Sequence, residues 1–109
     1  MQSEKAMYRL EYLPRAMQDM TEIVRYISHE LSNAAAAEKL AVELIGAGDK
    51  LLDFPHKNRV YQTVKPLKQE YRGQMVQNYI MFYYVDEDQK LITIARVIYA
   101  RRDYGKLFG

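Results

Sequence analysis

The 109 residues of this chain suffice for one domain and are too few for two, and a mix of 49% hydrophobic and 28% charged residues excludes a disordered chain. The absence of cysteine excludes disulfides, thiolate metal sites and a catalytic thiol, and the longest uncharged apolar run, Tyr79 to Val85, is far short of the ~18 residues that span a bilayer. The net charge of +2 hides a gradient: residues 1–56 carry six Lys/Arg and nine Asp/Glu, residues 57–109 ten and five, so the second half can present a basic face to nucleic acid or to an acidic protein.

Met1 to Ala6 shows no periodicity and reads as a leader or remnant ahead of an alternative start at Met7, leaving 7–109 as a single domain. The N-terminus lacks the shape of a signal peptide, which makes a soluble cytoplasmic protein the expectation. Tyr8, Leu10 and Tyr12 alternate with charged residues as in a half-buried strand, which Pro14 ends. From Arg15 to Leu31 the positions Ala16, Met17, Met20, Ile23, Val24, Ile27 and Leu31 form one apolar stripe of a helix, with Asp19, Glu22 and His29 on the opposite, solvated face. Ser32-Asn33 breaks this helix and caps a second one, Ala34 to Phe54, with Leu40, Leu44 and Leu51 on its apolar side; so short a link predicts an antiparallel hairpin.

Residues 55–67 read as a polar loop, with His56 an ordinary part of it. A short strand is expected over Leu67 to Arg72 and a longer one over Met75 to Val85, with Val76, Ile80 and Phe82 on one face and Tyr79, Met81 and Tyr83 on the other. A turn at Asp86 to Gln89 leads to a third, β-branched strand, Leu91 to Ala100, with Ile92, Ile94 and Ile98 on one face. The resulting order is β-α-α-β-β-β, an α+β fold: a helical hairpin on one face of a small, mainly antiparallel sheet. The core then joins the two helices to Ile80, Phe82, Ile92 and Ile94, and function falls to the other sheet face.

No complete catalytic signature is present, neither histidine has a reason to meet a serine, and no metal or cofactor motif occurs. The informative set is Arg72, Tyr99, Arg101, Arg102 and Tyr104, supported by Lys65, Lys68 and Lys106. Arginine holds phosphate by bidentate hydrogen bonds and tyrosine stacks on splayed bases, the requirements of an RNA-cleaving surface. An acid and a base are missing from it; Glu70 and Asp103 are the candidates for a base but sit in no recognisable arrangement. The same residues also suit a basic strand end without catalysis.

The C-terminal forty residues resemble the RelE/ParE superfamily of bacterial toxins from type II toxin–antitoxin modules. Arg72 with Val76, Asn78 and Tyr79 is similar to the entry of that family's central strand, Phe82-Tyr83-Tyr84-Val85-Asp86 to the strand and acidic turn after it, and Ile94 to Asp103 to its closing motif. The resemblance implies a RelE/ParE-like fold, a cognate antitoxin, and one of two targets: DNA gyrase, or mRNA on the ribosome. It implies a homodimer or a toxin–antitoxin heterotetramer as assemblies. For a nuclease, Arg72, Arg102 and Tyr104 are the implied catalytic residues. For target or antitoxin binding they are Lys65, Lys68, Arg72, Tyr79, Tyr83, Tyr99, Arg101, Arg102 and Lys106. Ile80 stands where the nucleases carry an arginine, and Tyr99 where some carry a histidine, which favours gyrase inhibition. The alternative is a non-toxic basic binding module, a degenerate member of the superfamily.

Overall fold

The computed structural model describes residues 8–61 and 68–101. Strand β1 (Arg9–Tyr12) leads into helix α1 (Pro14–Arg25), with Pro14 in the first turn, where its missing N–H costs nothing. The expected single helix to Leu31 changes character on the way: Tyr26–Glu30 is a π-helical turn, closed by the Leu31 amide on the Tyr26 carbonyl at 3.2 Å. Ser32 then adopts a left-handed φ of 50°, and Asn33 caps helix α2 (Ala34–Lys50) by accepting the Ala36 amide at 3.0 Å.

Three further strands follow, β2 (Arg72–Val76), β3 (Tyr79–Asp86) and β4 (Leu91–Tyr99), in the sheet order β1-β4-β3-β2. β2 pairs with β3 and β3 with β4 antiparallel, and β1 joins the edge parallel to β4. This is the α+β arrangement expected of the sequence, with two differences in the strands. The strand expected over Leu67 to Arg72 instead begins at Arg72, and the long strand from Met75 is two strands joined by a two-residue turn at Gln77-Asn78. Gln77 takes a φ of 53°, the positive value a tight hairpin turn needs at its first loop position and one usually supplied by glycine.

That turn reverses the expected faces. Val76 pairs with Tyr79, so the face that carries Val76 continues through Tyr79, Met81 and Tyr83, not through Ile80 and Phe82. Counting by twos across the turn slips by one residue, and a one-residue slip moves every side chain to the opposite face. The helices therefore rest on Met81 and Tyr83, with Ala16, Leu40, Leu44 and Leu51 above and Val76, Ile92, Ile94 and Val97 beside them. On β4 a bulge between the Tyr83–Ile94 and Phe82–Arg96 pairs makes Val97, not Ile98, continue the face of Ile92 and Ile94. Phe82 lies on the far side, where it pairs across from Gly73 and meets the Tyr61 ring edge-on at 5.4 Å.

Asp19 ties α1 to this bulge. Its carboxylate accepts the Arg96 guanidinium at 2.8 and 3.1 Å and the Val97 amide at 2.9 Å. The residue is 6% exposed, so its reading as part of a solvated face is corrected: the extra β4 residue turns an amide and an arginine toward α1, and the carboxylate satisfies both. Among the described residues, no helix is long and apolar enough to cross a membrane.

Candidate functional site

Of the residues singled out in the sequence, Lys65, Arg102, Tyr104 and Lys106 lie outside the described residues, as does Met1 to Ala6. The remaining six, Lys68, Arg72, Tyr79, Tyr83, Tyr99 and Arg101, are not gathered into one basic surface. Arg72 pairs with Tyr83 across β2 and β3 and so lies on the helix-facing side. Its guanidinium donates to the carbonyl of Asn58 and, at 3.4 Å, to that of His56, which pins the loop between α2 and β2.

Tyr83 is fully buried, which corrects its expected place among exposed contact residues. Its hydroxyl donates to the Pro55 carbonyl at 2.9 Å and accepts the Asn58 side-chain amide at 3.1 Å, while that amide also reaches Gln74 at 3.0 Å. Burial pushes the Tyr83 phenol up, opposed by the Asn58 hydrogen bond and the Arg72 charge. Arg72, Asn58 and Tyr83 thus form a tight structural knot that fixes residues 55–58 to the sheet.

Tyr79 and Tyr99 meet edge-on at 5.7 Å, with Tyr79 half-buried and Tyr99 exposed. Burial raises the Tyr79 phenol, and the neighbouring Tyr99 and Tyr26 phenols add to the shift. Lys68 and Arg101 are exposed, and neither has an ion-pair partner among the described residues.

A second polar knot surrounds Glu87 in the β3–β4 turn. It accepts the Tyr8 hydroxyl at 2.7 Å and the Lys90 ammonium at 2.9 Å, and it pairs with His56. The Lys90 ammonium, then the Tyr8 hydroxyl and His56, hold its carboxyl down at about 2. His56, read as an ordinary loop residue, therefore latches the loop to the turn. The resolved shifts move tyrosines up and Glu87 down, both away from neutrality and so away from general acid–base work near pH 7.

A feature that sequence reasoning missed lies between the helices. A cleft of about 460 Å³ runs between α1 and α2, lined by Met17, Met20, Val24, Leu44 and Ile45, with Arg25 and His29 toward the end of α1. Met17 and Ile45 are exposed on its rims. The signal was present in the apolar Ile45, which falls outside the expected stripe of α2, while Met17, counted in the stripe of α1, stands exposed on the cleft instead.

A helical hairpin over a four-stranded mixed sheet, with a bare cleft on the outside of the hairpin, defines an α+β toxin-like fold, and comparison with known proteins gives the family. Residues 10–104 match the family model described as "ParE toxin of type II toxin-antitoxin system, parDE", and the chain belongs to this family. It is the toxin component of a type II toxin–antitoxin system. Solved structures share the fold at low identity. The chromosomal ParDE toxin–antitoxin system of P. aeruginosa matches with a TM-score of 0.70 and 16% identity, covering 87% of this chain and 98% of that one. The archaeal RelE–RelB complex from Pyrococcus horikoshii OT3 matches with a TM-score of 0.59 and 15% identity, covering 88% and 98%. The toxin–antitoxin complex RelBE2 of Mycobacterium tuberculosis matches with a TM-score of 0.60 and 13% identity, covering 84% and 96%. No curated protein sequence matches the chain.

Proposed function

We propose that this toxin arrests growth by binding and inhibiting DNA gyrase in the cytoplasm, without cleaving mRNA. The observation that carries this reading is the commitment of Arg72, whose guanidinium is engaged by the carbonyls of His56 and Asn58. An arginine that stabilises a transition-state phosphate must be free to meet it with two donors. The runner-up is a RelE-like ribosome-dependent nuclease with Arg102 and Tyr104 as catalytic residues; it is favoured by the basic, aromatic character of the C-terminal segment. Primer extension on messages from cells induced to express the chain separates the two. Intact messages during full growth arrest support the gyrase reading, and cuts inside translated codons refute it.

The same proposal assigns the antitoxin to the α1–α2 cleft. The ParDE and RelBE structures that share this fold are toxin–antitoxin systems. The cleft is apolar, and its one charged lining residue, Arg25, is basic, with His29 beside it. It suits an amphipathic antitoxin helix that inserts apolar side chains and sets a carboxylate against Arg25. Ile45→Lys would place a charge in the middle of that contact and abolish capture by the antitoxin encoded beside the toxin; unaltered capture would move the antitoxin elsewhere.

A further inference from the structure

The chain has six methionines and no cysteine, so its readily oxidised sulfur is all thioether. Met1 and Met7 lie outside the described residues, and the other four differ sharply in setting. Met81 is fully buried in the core beneath the helices. Met75 is 52% exposed on β2 and takes no part in the α1–α2 cleft. Met17 and Met20, three apart and so on one side of α1, both line that cleft. Met20 is half-buried and also packs against the core. Met17 is 52% exposed and stands outside the core cluster, so its side chain meets solvent while forming part of the cleft's apolar rim.

Leucine would fill the same rim inertly, whereas a thioether there can be oxidised. With hydrogen peroxide, the sulfur lone pair attacks one oxygen and the O–O bond breaks. The departing hydroxide takes the remaining proton and leaves as water, so sulfur loses two electrons and the peroxide gains them. The sulfoxide is polar where the thioether was apolar. In water it is solvated at no cost, but in a contact that excludes water its oxygen must find a donor or stay unpaired. The α2 wall of the cleft, Ala41, Leu44 and Ile45, offers no side-chain donor. We propose that Met17 is an oxidation site that controls capture of this toxin: peroxide converts it to the sulfoxide in the free chain, and the oxidised cleft releases the antitoxin's apolar side chains. A bound antitoxin covers Met17, so the free toxin is the sensitive form, and enzymatic reduction of the sulfoxide restores capture. The inference rests on the assignment of the antitoxin to the α1–α2 cleft and adds a chemical control to that site.

The test treats the purified full chain with hydrogen peroxide, removes the oxidant, and titrates the chain with the antitoxin encoded beside it in a calorimeter. Peptide mass spectrometry reads the sites, since the tryptic peptide from Ala16 to Arg25 carries both Met17 and Met20. Met17 and Met75 should each gain one oxygen, and Met81 none. The antitoxin dissociation constant should rise about 10-fold or more, the scale of burying one unpaired polar group. Urea melting should be unchanged, because Met17 lies outside the core cluster. Met17→Leu, whatever its own affinity, should bind equally well before and after treatment, whereas Met75→Leu should lose affinity on treatment as the wild type does. Full affinity in a chain whose Met17 is the sulfoxide overturns the inference. So does a Met17→Leu chain that still loses capture, a Met17 that resists peroxide while Met75 reacts, or a loss of capture matched by a fall in the urea midpoint, which would place the damage in the core. Untreated Ile45→Lys separates this inference from the reading beneath it. If that variant loses the antitoxin while the oxidised wild type keeps it, the cleft assignment stands and the oxidation site falls; if it keeps the antitoxin, both fall.

Discussion

Gly48 of α2 and Tyr12 of β1 should behave as one unit, and a double-mutant cycle makes that quantitative. A Cβ built on Gly48 overlaps the Tyr12 hydroxyl, sits 3.3 Å from the ring carbon that bears it, and is 3.6 Å from Leu10 Cδ2. The hydroxyl therefore occupies the space a side chain would fill. It is also buried and has no hydrogen-bond partner among the described residues, and burial together with the nearby Asp49 charge raises its pKa. Alanine in place of a helical glycine gains ~0.5–1 kcal/mol from reduced chain entropy, while forcing an atom into a filled space costs ~1–3 kcal/mol. Gly48→Ala alone should thus destabilise by up to ~2 kcal/mol, net of those terms. Tyr12→Phe removes a hydroxyl that lost its water without gaining a partner, so it should be neutral or stabilise by up to ~1 kcal/mol. In the Tyr12→Phe background the nearest atom is the ring carbon at 3.3 Å, which needs a shift of only a few tenths of an ångström. There Gly48→Ala should become neutral or stabilising, giving a coupling of ~1–3 kcal/mol between the two sites. Urea melts of the four proteins measure this directly. An equal cost of Gly48→Ala in both backgrounds would refute the reasoning.

Other consequences follow from the polar knots and the core. Asp19→Ala leaves the largely buried Arg96 guanidinium unpaired and orphans the Val97 amide, so it should cost ~3–5 kcal/mol in urea melts, far more than Glu22→Ala on the exposed side of α1. Leu44 is fully buried between α2 and the sheet, and Leu44→Ala should cost ~2–5 kcal/mol. Tyr83→Phe breaks the hydroxyl's bonds to Pro55 and Asn58 and should cost ~1 kcal/mol, with faster amide exchange confined to residues 55–58. Glu87 is held at about 2 against an ordinary 4.5, so its contribution to stability is complete above pH ~4.5 and is lost as the pH falls toward 2. The stability difference between wild type and Glu87→Gln should therefore shrink over that window; a difference that grows on acidification would reverse the assignment.

The amphipathic stripes of both helices, the Asn33 cap and the β-branched β4 strand were all legible, because each is set by local chemistry or simple periodicity. The Gln77-Asn78 turn was not. It carries no glycine, and Gln77 holds its positive φ because the strands on either side pair in register, a tertiary cause. From that single omission came the inverted faces of β3 and the placement of Ile80 and Phe82 under the helices. The β4 bulge was hidden for the same reason: Ala95 looks like any strand residue until Asp19 gives the Val97 amide a partner. For the site, the sequence singles out Arg72 as a catalytic or contact residue, but position in a motif does not tell a guanidinium that meets a ligand from one that holds a loop. The α1–α2 cleft was written in Ile45, an apolar residue that a helix resting on a sheet does not require, while Met17 was assigned to the buried stripe of α1 and stands exposed on the cleft instead.

The central claim is that this toxin acts on gyrase and needs no cleavage chemistry, and a supercoiling assay with purified gyrase tests it most directly. The toxin should inhibit ATP-dependent supercoiling of relaxed plasmid in proportion to its concentration, and prior addition of the antitoxin should abolish the inhibition. Full gyrase activity at toxin concentrations that the antitoxin still binds stoichiometrically would contradict it.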